Sequence, residues 1–362
     1  MRIEDLGNHT IIKTGNLDAN AEIHGGKYPF FTCSKESKQI DNYAFDGEFV
    51  VVAGNGDLNV KYYKGKFNAY QRTYAISPKE TVNGKYLYYF LEKYLVKLRE
   101  LSIGGVIKYI KIGNLTEAKI PLPPLPTQQK IASILDAADT LRQKDKALLA
   151  KYDELTQSLF LDMFGDPVKN EKGWEKVSLN SCLQNIEKIG KTFAEGIIEY
   201  VDIASVDNNR NIITAITTYQ TIEKPSRAQQ ILKAGDIVFS TVRPNLKNIA
   251  INKVDGRIGS TGFFVCRVNP KKLKNFFLYK VLLTDSATDY FVGITSGANY
   301  PAIKSTDMKK FQVIIPPIEL QNQFAQHVAN IEQQKAIAQA SLEKSEELFN
   351  SLLQKAFKGE LV

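Results

Sequence analysis

A chain of 362 residues with 43% apolar and 24% charged residues has room for more than one core and is composed like an ordinary globular protein, which excludes collagenous, disulfide-stapled and wholly disordered classes. A formal net charge of +8 and a pI near 9.0 invite a polyanionic partner without proving one. Three isolated cysteines (Cys33, Cys182, Cys266), the charged start Met1-Arg2-Ile3-Glu4-Asp5 and the lack of an apolar run near ~18 residues speak against bridges, a leader and a membrane span, so the expected location is the cytoplasm.

In chain order, residues 1–126 read as a first globular domain. β-branched and aromatic runs at 49–53 and 71–76, punctuated by Gly and Asn, predict strands, and 82–101 predicts a helix. The cluster Tyr86, Tyr88, Tyr89, Phe90 and Tyr94 has helical spacing and is read as core rather than as a base-stacking platform.

A proline-rich entry (Pro121, Pro123, Pro124, Pro126) opens a long helix over 127–165, with Thr127 as candidate N-cap and Phe164-Gly165-Asp166-Pro167 as its stop. Ile134, Ala138, Leu141, Asp145, Leu148, Tyr152, Leu155 and Leu159 recur at alternating steps of four and three, a heptad seam with one charged interruption at Asp145, and Ile131, Leu135, Leu149 and Met163 widen the stripe.

Residues 166–319 predict a second globular domain, with strands at 197–203, 237–242, 262–268 and 311–315 and a helix at 275–291. Pro316-Pro317 then opens a second long helix over 320–362, where Glu319 suits the N-terminal dipole. Its seam is Phe324, Val328, Ile331, Lys335, Ala338, Leu342, Ser345, Phe349, Leu352 and Ala356. Each helix spans ~55 Å at ~1.5 Å per residue, and a stripe that long stays wet unless covered. The two stripes most simply bury each other as an antiparallel coiled coil with a pseudo-two-fold repeat, placing the globular domains at opposite ends. The alternative is that each helix packs on its own domain.

The chain contains itself twice. Pro123-Pro124-Leu125-Pro126-Thr127-Gln128 is echoed by Pro316-Pro317-Ile318-Glu319-Leu320-Gln321, 193 residues on, and the same ungapped offset pairs Gly104 with Gly297, Lys111 with Lys304, Leu155 with Leu348 and Phe164 with Phe357. A looser echo joins Asp46-Gly47-Glu48 to Ala234-Gly235-Asp236. The fold class expected is α+β: two globular domains with twisted, mostly antiparallel sheets, separated by the paired helices.

Charge follows the domains. Residues 1–126 carry +4 and 166–319 carry +6, while 127–165 and 320–362 carry −1 each. Catalytic signatures are missing. Gly190-Lys191-Thr192 lacks the upstream Gly of a phosphate loop, because Asn185 occupies that place, and Gly54-Asn55-Gly56-Asp57 reads as a turn. Glu36-Ser37-Lys38 and Glu117-Ala118-Lys119 lack a strand Asp upstream, and His9, His24 and His327 have no ligand-spaced neighbours. No catalytic and no metal-binding residue is assigned.

In this order the junctions Ile120-Pro121-Leu122-Pro123-Pro124-Leu125-Pro126-Thr127-Gln128-Gln129-Lys130-Ile131 and Val313-Ile314-Ile315-Pro316-Pro317-Ile318-Glu319-Leu320-Gln321, the strand entries Asp46-Gly47-Glu48 and Ala234-Gly235-Asp236-Ile237-Val238, and the ends Asp162-Met163-Phe164-Gly165-Asp166-Pro167 and Phe357-Lys358-Gly359-Glu360-Leu361 resemble the specificity subunits of type I restriction–modification systems over essentially the whole chain. Thr127 departs from the acidic residue common there.

The resemblance implies a non-catalytic subunit whose two target-recognition domains each read half of a split, asymmetric site on double-stranded DNA. The helices would set the spacing and dock two methyltransferase (modification) subunits. S-adenosylmethionine would sit in those subunits, and ATP and Mg in a restriction/motor subunit where the system has one; none is bound by this chain.

Under that reading the candidate DNA contacts are Asn55, Asn59, Lys61, Tyr63, Lys64, Arg72 and Lys108 in the first domain. In the second they are Thr241, Arg243, Asn245, Lys247, Ser260, Thr261, Asn299, Tyr300 and Lys304. Solvated loops are the bland alternative. Two other classes stay open at this point: a duplicated coiled-coil scaffold that binds protein without DNA specificity, and an enzyme with an unrecognised site.

Overall fold

Alternation along Phe45–Ala53 puts Val50 and Val52 on one face of a strand and Val51 on the other, and all three are buried. In the computed structural model, which describes residues 2–190, 196–297 and 300–362, this strand lies inside a six-stranded sheet of the first of two units. That unit is the chain up to Leu148 together with Ile337–Val362; the second is Leu149–Ala336.

The sheet of the first unit runs Thr10–Thr14, Thr73–Pro78, Phe45–Ala53, Val60–Ala69, Tyr28–Phe31, Lys38–Ile40. Only the pair Tyr28–Phe31 and Val60–Ala69 is parallel. One face, with Val50, Val52 and Ile76, is covered by the helix Gly84–Leu101 through Tyr86, Leu87, Phe90 and Leu91. The other face holds Phe31, Val51, Phe67, Ala69 and Ala75. The tyrosine cluster is therefore core: Tyr86 and Tyr89 are fully buried, and Tyr88 and Tyr94 pack on the same cluster.

The second unit divides its strands among two larger sheets and two two-stranded pairs, Val206–Asp207 with Ile212–Ile213 and Lys176–Ser178 with Gln312–Ile314. One larger sheet runs Thr217–Gln220, Ile197–Val201, Ile258–Ser260, Ala228–Ile231, and the other Ile249–Ile251, Ile237–Ser240, Phe263–Cys266. The helix expected over 275–291 is two helices, Asn275–Leu283 and Asp285–Gly293. Thr284 makes the break, taking an extended conformation and accepting from the Ala287 N–H at 3.3 Å as an N-cap. Arg267 and Asp236 form a buried bidentate pair (3.0 and 2.8 Å), and the Asp236 carboxylate holds the guanidinium charged. Gly235 sits at φ +91° where the chain turns into the strand, whereas its echo Gly47 lies inside a strand and Glu48 accepts from the Tyr62 hydroxyl.

The long helices are Leu125–Phe164 and Ile318–Lys358. The first begins two residues before Thr127, which lies in its first turn and does not cap it. Within the first unit they run antiparallel: Arg142 stacks its guanidinium 4.1 Å over Phe349, Asp145 accepts from the Ser341 hydroxyl at 3.3 Å, and Lys146 meets Glu346 at 2.9 Å. Within the second unit, Asp153 pairs with Lys335 at 2.6 Å and Phe160 packs edge-on against Phe324.

The seam is rotated from the expected one. Ala138, Asp145 and the half-buried Tyr152 keep their places, but the alternate positions go to Leu135 and Leu149, which widen the expected stripe, and to Arg142, Thr156 and Phe160, which lie outside it. Leu141, Leu148 and Leu155 are 45, 41 and 50% exposed, and Ile134 and Leu159 are half-buried. In the first unit the helix Gly84–Leu101 lies against this face. Glu92 lies 3.7 Å from Arg142, and Lys85 and Tyr89 bond Asp136, so the long helix turns a partly polar line inward. On the second helix Val328, Ala338, Leu342 and Phe349 are buried and Ile331 and Leu352 half-buried. Among the described residues no helix is long and apolar enough to cross a membrane.

Candidate nucleic-acid interface

In the first unit the chain leaves Phe45–Ala53 through Gly54-Asn55-Gly56 and there meets the loop 103–109. Ile103 and Tyr109 exchange backbone bonds of 2.9 and 2.8 Å, and Asn55 pairs with Tyr109. Gly56 N–H donates to the Lys108 carbonyl at 2.9 Å, and Gly54 N–H to the Arg72 carbonyl at 2.8 Å. Gly104, at φ +115°, closes the loop; a Cβ there would fall 2.6 Å from the Ile107 carbonyl oxygen. Asn55, Arg72 and Lys108 are thus brought together, with Arg72 and Lys108 exposed.

The second unit repeats the construction. Ser296 and Ala302 exchange bonds of 3.0 Å, Val242 pairs with Ala302, and Gly297 closes the loop at φ +101°. Residues 103, 104 and 109 map onto 296, 297 and 302 at the repeat offset of 193. Arg243 N–H donates to the Pro301 carbonyl at 2.8 Å, and Ile303 N–H to the Thr241 carbonyl at 2.9 Å. Arg243 holds a left-handed φ of +50° and sets its guanidinium 5.4 Å from the Tyr300 ring. Thr241, Arg243, Tyr300 and Lys304 gather here, and Thr241 N–H bonds the Gly262 carbonyl beside the exposed Thr261.

Other candidates are engaged inside the protein. The Asn59 amide donates to the carbonyls of Cys33 (2.9 Å) and Asp57 (3.0 Å). Lys61 Nζ donates to the Ser34 carbonyl at 2.7 Å and to Asn59, and burial pulls its ammonium below the usual lysine range. Tyr63 packs edge-on against Phe31 and Phe67. Ser260 is buried and accepts from the Gly262 N–H, so it presents nothing to a duplex. Lys247 Nζ is held by Asp285 (2.6 Å) and the Leu283 carbonyl. Lys64 and Asn245 are exposed, whereas Asn299, like Lys191 and Thr192, lies outside the described residues.

Two features escaped the sequence reading. Val106 and Ile107, at the tip of the first loop, are 103 and 62% exposed; their pairing with Asn299 and Tyr300 at the repeat offset was the available signal. The buried Gln128 and Gln321 latch each unit's helix to its Pro-Pro turn.

Comparison with known proteins places this arrangement. The model of the type I restriction modification DNA specificity domain matches residues 1–151 and again 171–347. The EcoDI specificity subunit of Escherichia coli is 30% identical over 397 aligned positions, covering 99% of this chain and 88% of its own. The MjaIX specificity subunit of Methanocaldococcus jannaschii is 24% identical, over 79% of this chain and 71% of its own. The crystal structure of a type I restriction-modification S subunit from M. genitalium shares the fold at TM-score 0.60 and 16% identity, covering 98% of this chain and 96% of that one. Matched twice along its length and built from one duplicated frame, the chain belongs to the type I restriction–modification specificity subunits, the non-catalytic DNA-recognition component of these systems.

Proposed function

We propose that each unit reads one half of a bipartite, asymmetric DNA sequence, and that the two long helices act as an antiparallel coiled-coil spacer which sets the gap and seats two methyltransferase subunits. The domains would be 1–126 and 166–319, with spacer helices 127–165 and 320–362. The observation that carries this reading is the repeated pair of loops. Their backbone bonds are the same at 103/109 and 296/302, yet the side chains they display differ. A common frame with divergent contacts suits two readers of unlike sequences. A scaffold for two copies of one protein would keep its contacts alike, and that reading is not favoured.

Electrostatics supports it, since the excess positive charge lies in 1–126 and 166–319. Affinity would come from Lys and Arg on phosphates and selectivity from polar side chains at base edges. The exposed Leu141 and Leu148 in the first unit and Leu155 and Leu161 in the second support docking, because uncovered leucines on a helix suit a partner helix. S-adenosylmethionine would be supplied by the methyltransferase subunits, and ATP and Mg by a motor subunit, in the cytoplasm. The test is to exchange 166–315 for the corresponding segment of another specificity subunit and sequence the methylome. One half-site should change and the other persist; a change in both, or in neither, overturns the assignment of one unit to one half-site.

A further inference from the structure

Isolated exposed apolar residues are common on protein surfaces and need no explanation. The tips of these two loops are different. Ile107 and Tyr300 stand 193 residues apart, at the same place in loops closed by the same glycine, and are 62 and 72% exposed. Val106, beside Ile107, is exposed over its whole surface. The duplicated frame therefore holds a large side chain with an apolar body out in water twice.

The surroundings name the partner. Lys108 follows Ile107 directly, and the Arg72 backbone anchors the neighbouring turn; Arg243 stacks against Tyr300. Among the described residues, the exposed apolar side chains of these loops, Ile103, Val106 and Ile107 in the first and Tyr300 in the second, fall far short of the ~800 Å² a protein partner must cover. A single Ile or aromatic ring does suffice to enter a base step and hold it open.

Resting on the recognition reading above, we propose that Ile107 with Val106 in the first unit, and Tyr300 in the second, are wedges that each enter the stack between adjacent base pairs of the half-site their unit reads. Pyrimidine–purine steps, which unstack most easily, are the favoured points of entry. The wedge adds selectivity without a hydrogen bond to any base edge, while Lys108 and Arg243 neutralise the phosphates flanking the opened step.

The experiment uses the full chain in complex with its methyltransferase subunits, and a duplex carrying the bipartite sequence found by methylome sequencing. 2-Aminopurine is placed in turn at steps away from the methylated adenine. The expected result is a rise in fluorescence at one such step in each half-site. Val106→Ser with Ile107→Ser abolishes the rise in one half-site, Tyr300→Ser in the other, and Ile107→Leu and Tyr300→Phe retain it. The serine variants weaken binding about tenfold with an unchanged slope of log affinity against log salt, since no phosphate contact is lost. A complex that binds its site without brightening any step, or whose signal survives in both serine variants, overturns the wedge and leaves the recognition reading standing. A wild-type complex that selects no bipartite sequence overturns both.

Discussion

Gln128 joins two elements that are distant in sequence to Asn83. Its Oε1 accepts from the Asn83 N–H at 2.9 Å while its Nε2 donates to the Pro123 carbonyl at 2.9 Å. In the second unit Gln321 does the same with the Lys274 N–H (2.9 Å) and the Pro316 carbonyl (2.9 Å). Both glutamines are buried, so one amide per unit satisfies the start of the domain helix and the Pro-Pro turn together. Replacing either with Ala orphans those groups and should cost ~1–3 kcal/mol in chemical denaturation. Hydrogen exchange should localise the loss of Gln128→Ala to the start of Gly84–Leu101, and that of Gln321→Ala to Asn275–Leu283. A loss spread evenly over both units would reject the latch.

The Arg267–Asp236 pair makes a larger prediction. Asp236→Ala leaves a buried guanidinium without its carboxylate and should lower stability by ~3–5 kcal/mol. Adding Arg267→Met should recover much of that, because no buried charge is then left unpaired; the Lys233 N–H and the Ile231 carbonyl, which the pair also satisfies, limit the recovery. A double variant as unstable as the single one would contradict this.

Stability should depend on pH through Glu92. Burial pushes its carboxyl above the usual range, outweighing Arg142 at 3.7 Å, with Asp139 adding repulsion; its Oε2 has no hydrogen-bond partner. A raised folded-state pKa means the folded chain holds this proton more tightly than the unfolded one. The contribution to stability is present at acid pH and is lost as pH rises through the raised value. Glu92→Gln should therefore raise Tm by a few degrees at neutral pH, with the difference vanishing below about pH 4. Equal effects at both pH values would point to packing instead.

The rotated seam separates folding from docking. Leu141→Ser and Leu148→Ser, at exposed positions, should alter the stability of the lone chain by less than about 0.5 kcal/mol yet weaken assembly with the methyltransferase subunits in pull-down or mass photometry. Leu135→Ala, at a fully buried position one residue from the expected Ile134, should cost ~2–5 kcal/mol. Reversed magnitudes would restore the leucine seam.

Much of this was legible in the residues, and the misses share a cause. The repeat located the junctions, the long helices and the closing glycines Gly104 and Gly297, because turns demand particular residues wherever they recur. Heptad counting chose Leu141 and Leu155 over Arg142 and Thr156, since it scores hydrophobicity. The helix face was decided by partners on another element, Glu92 for Arg142 and Lys85 and Tyr89 for Asp136, which no local pattern displays. Lys61, Asn59 and Ser260 had the chemistry of base or phosphate contacts, but the neighbouring carbonyls and N–H groups of the folded chain claim them first.

Antiparallel register has a consequence for how such a subunit can change size. An insertion in Leu125–Phe164 alone would slide Asp145 off Ser341 and Lys146 off Glu346, stranding a buried carboxylate. Tolerated growth must come as matched additions, one per helix and close to a whole heptad, each lengthening its helix by about 10 Å. Natural size variants should accordingly be quantised, with twin insertions at facing positions of the two helices rather than a continuum of single ones.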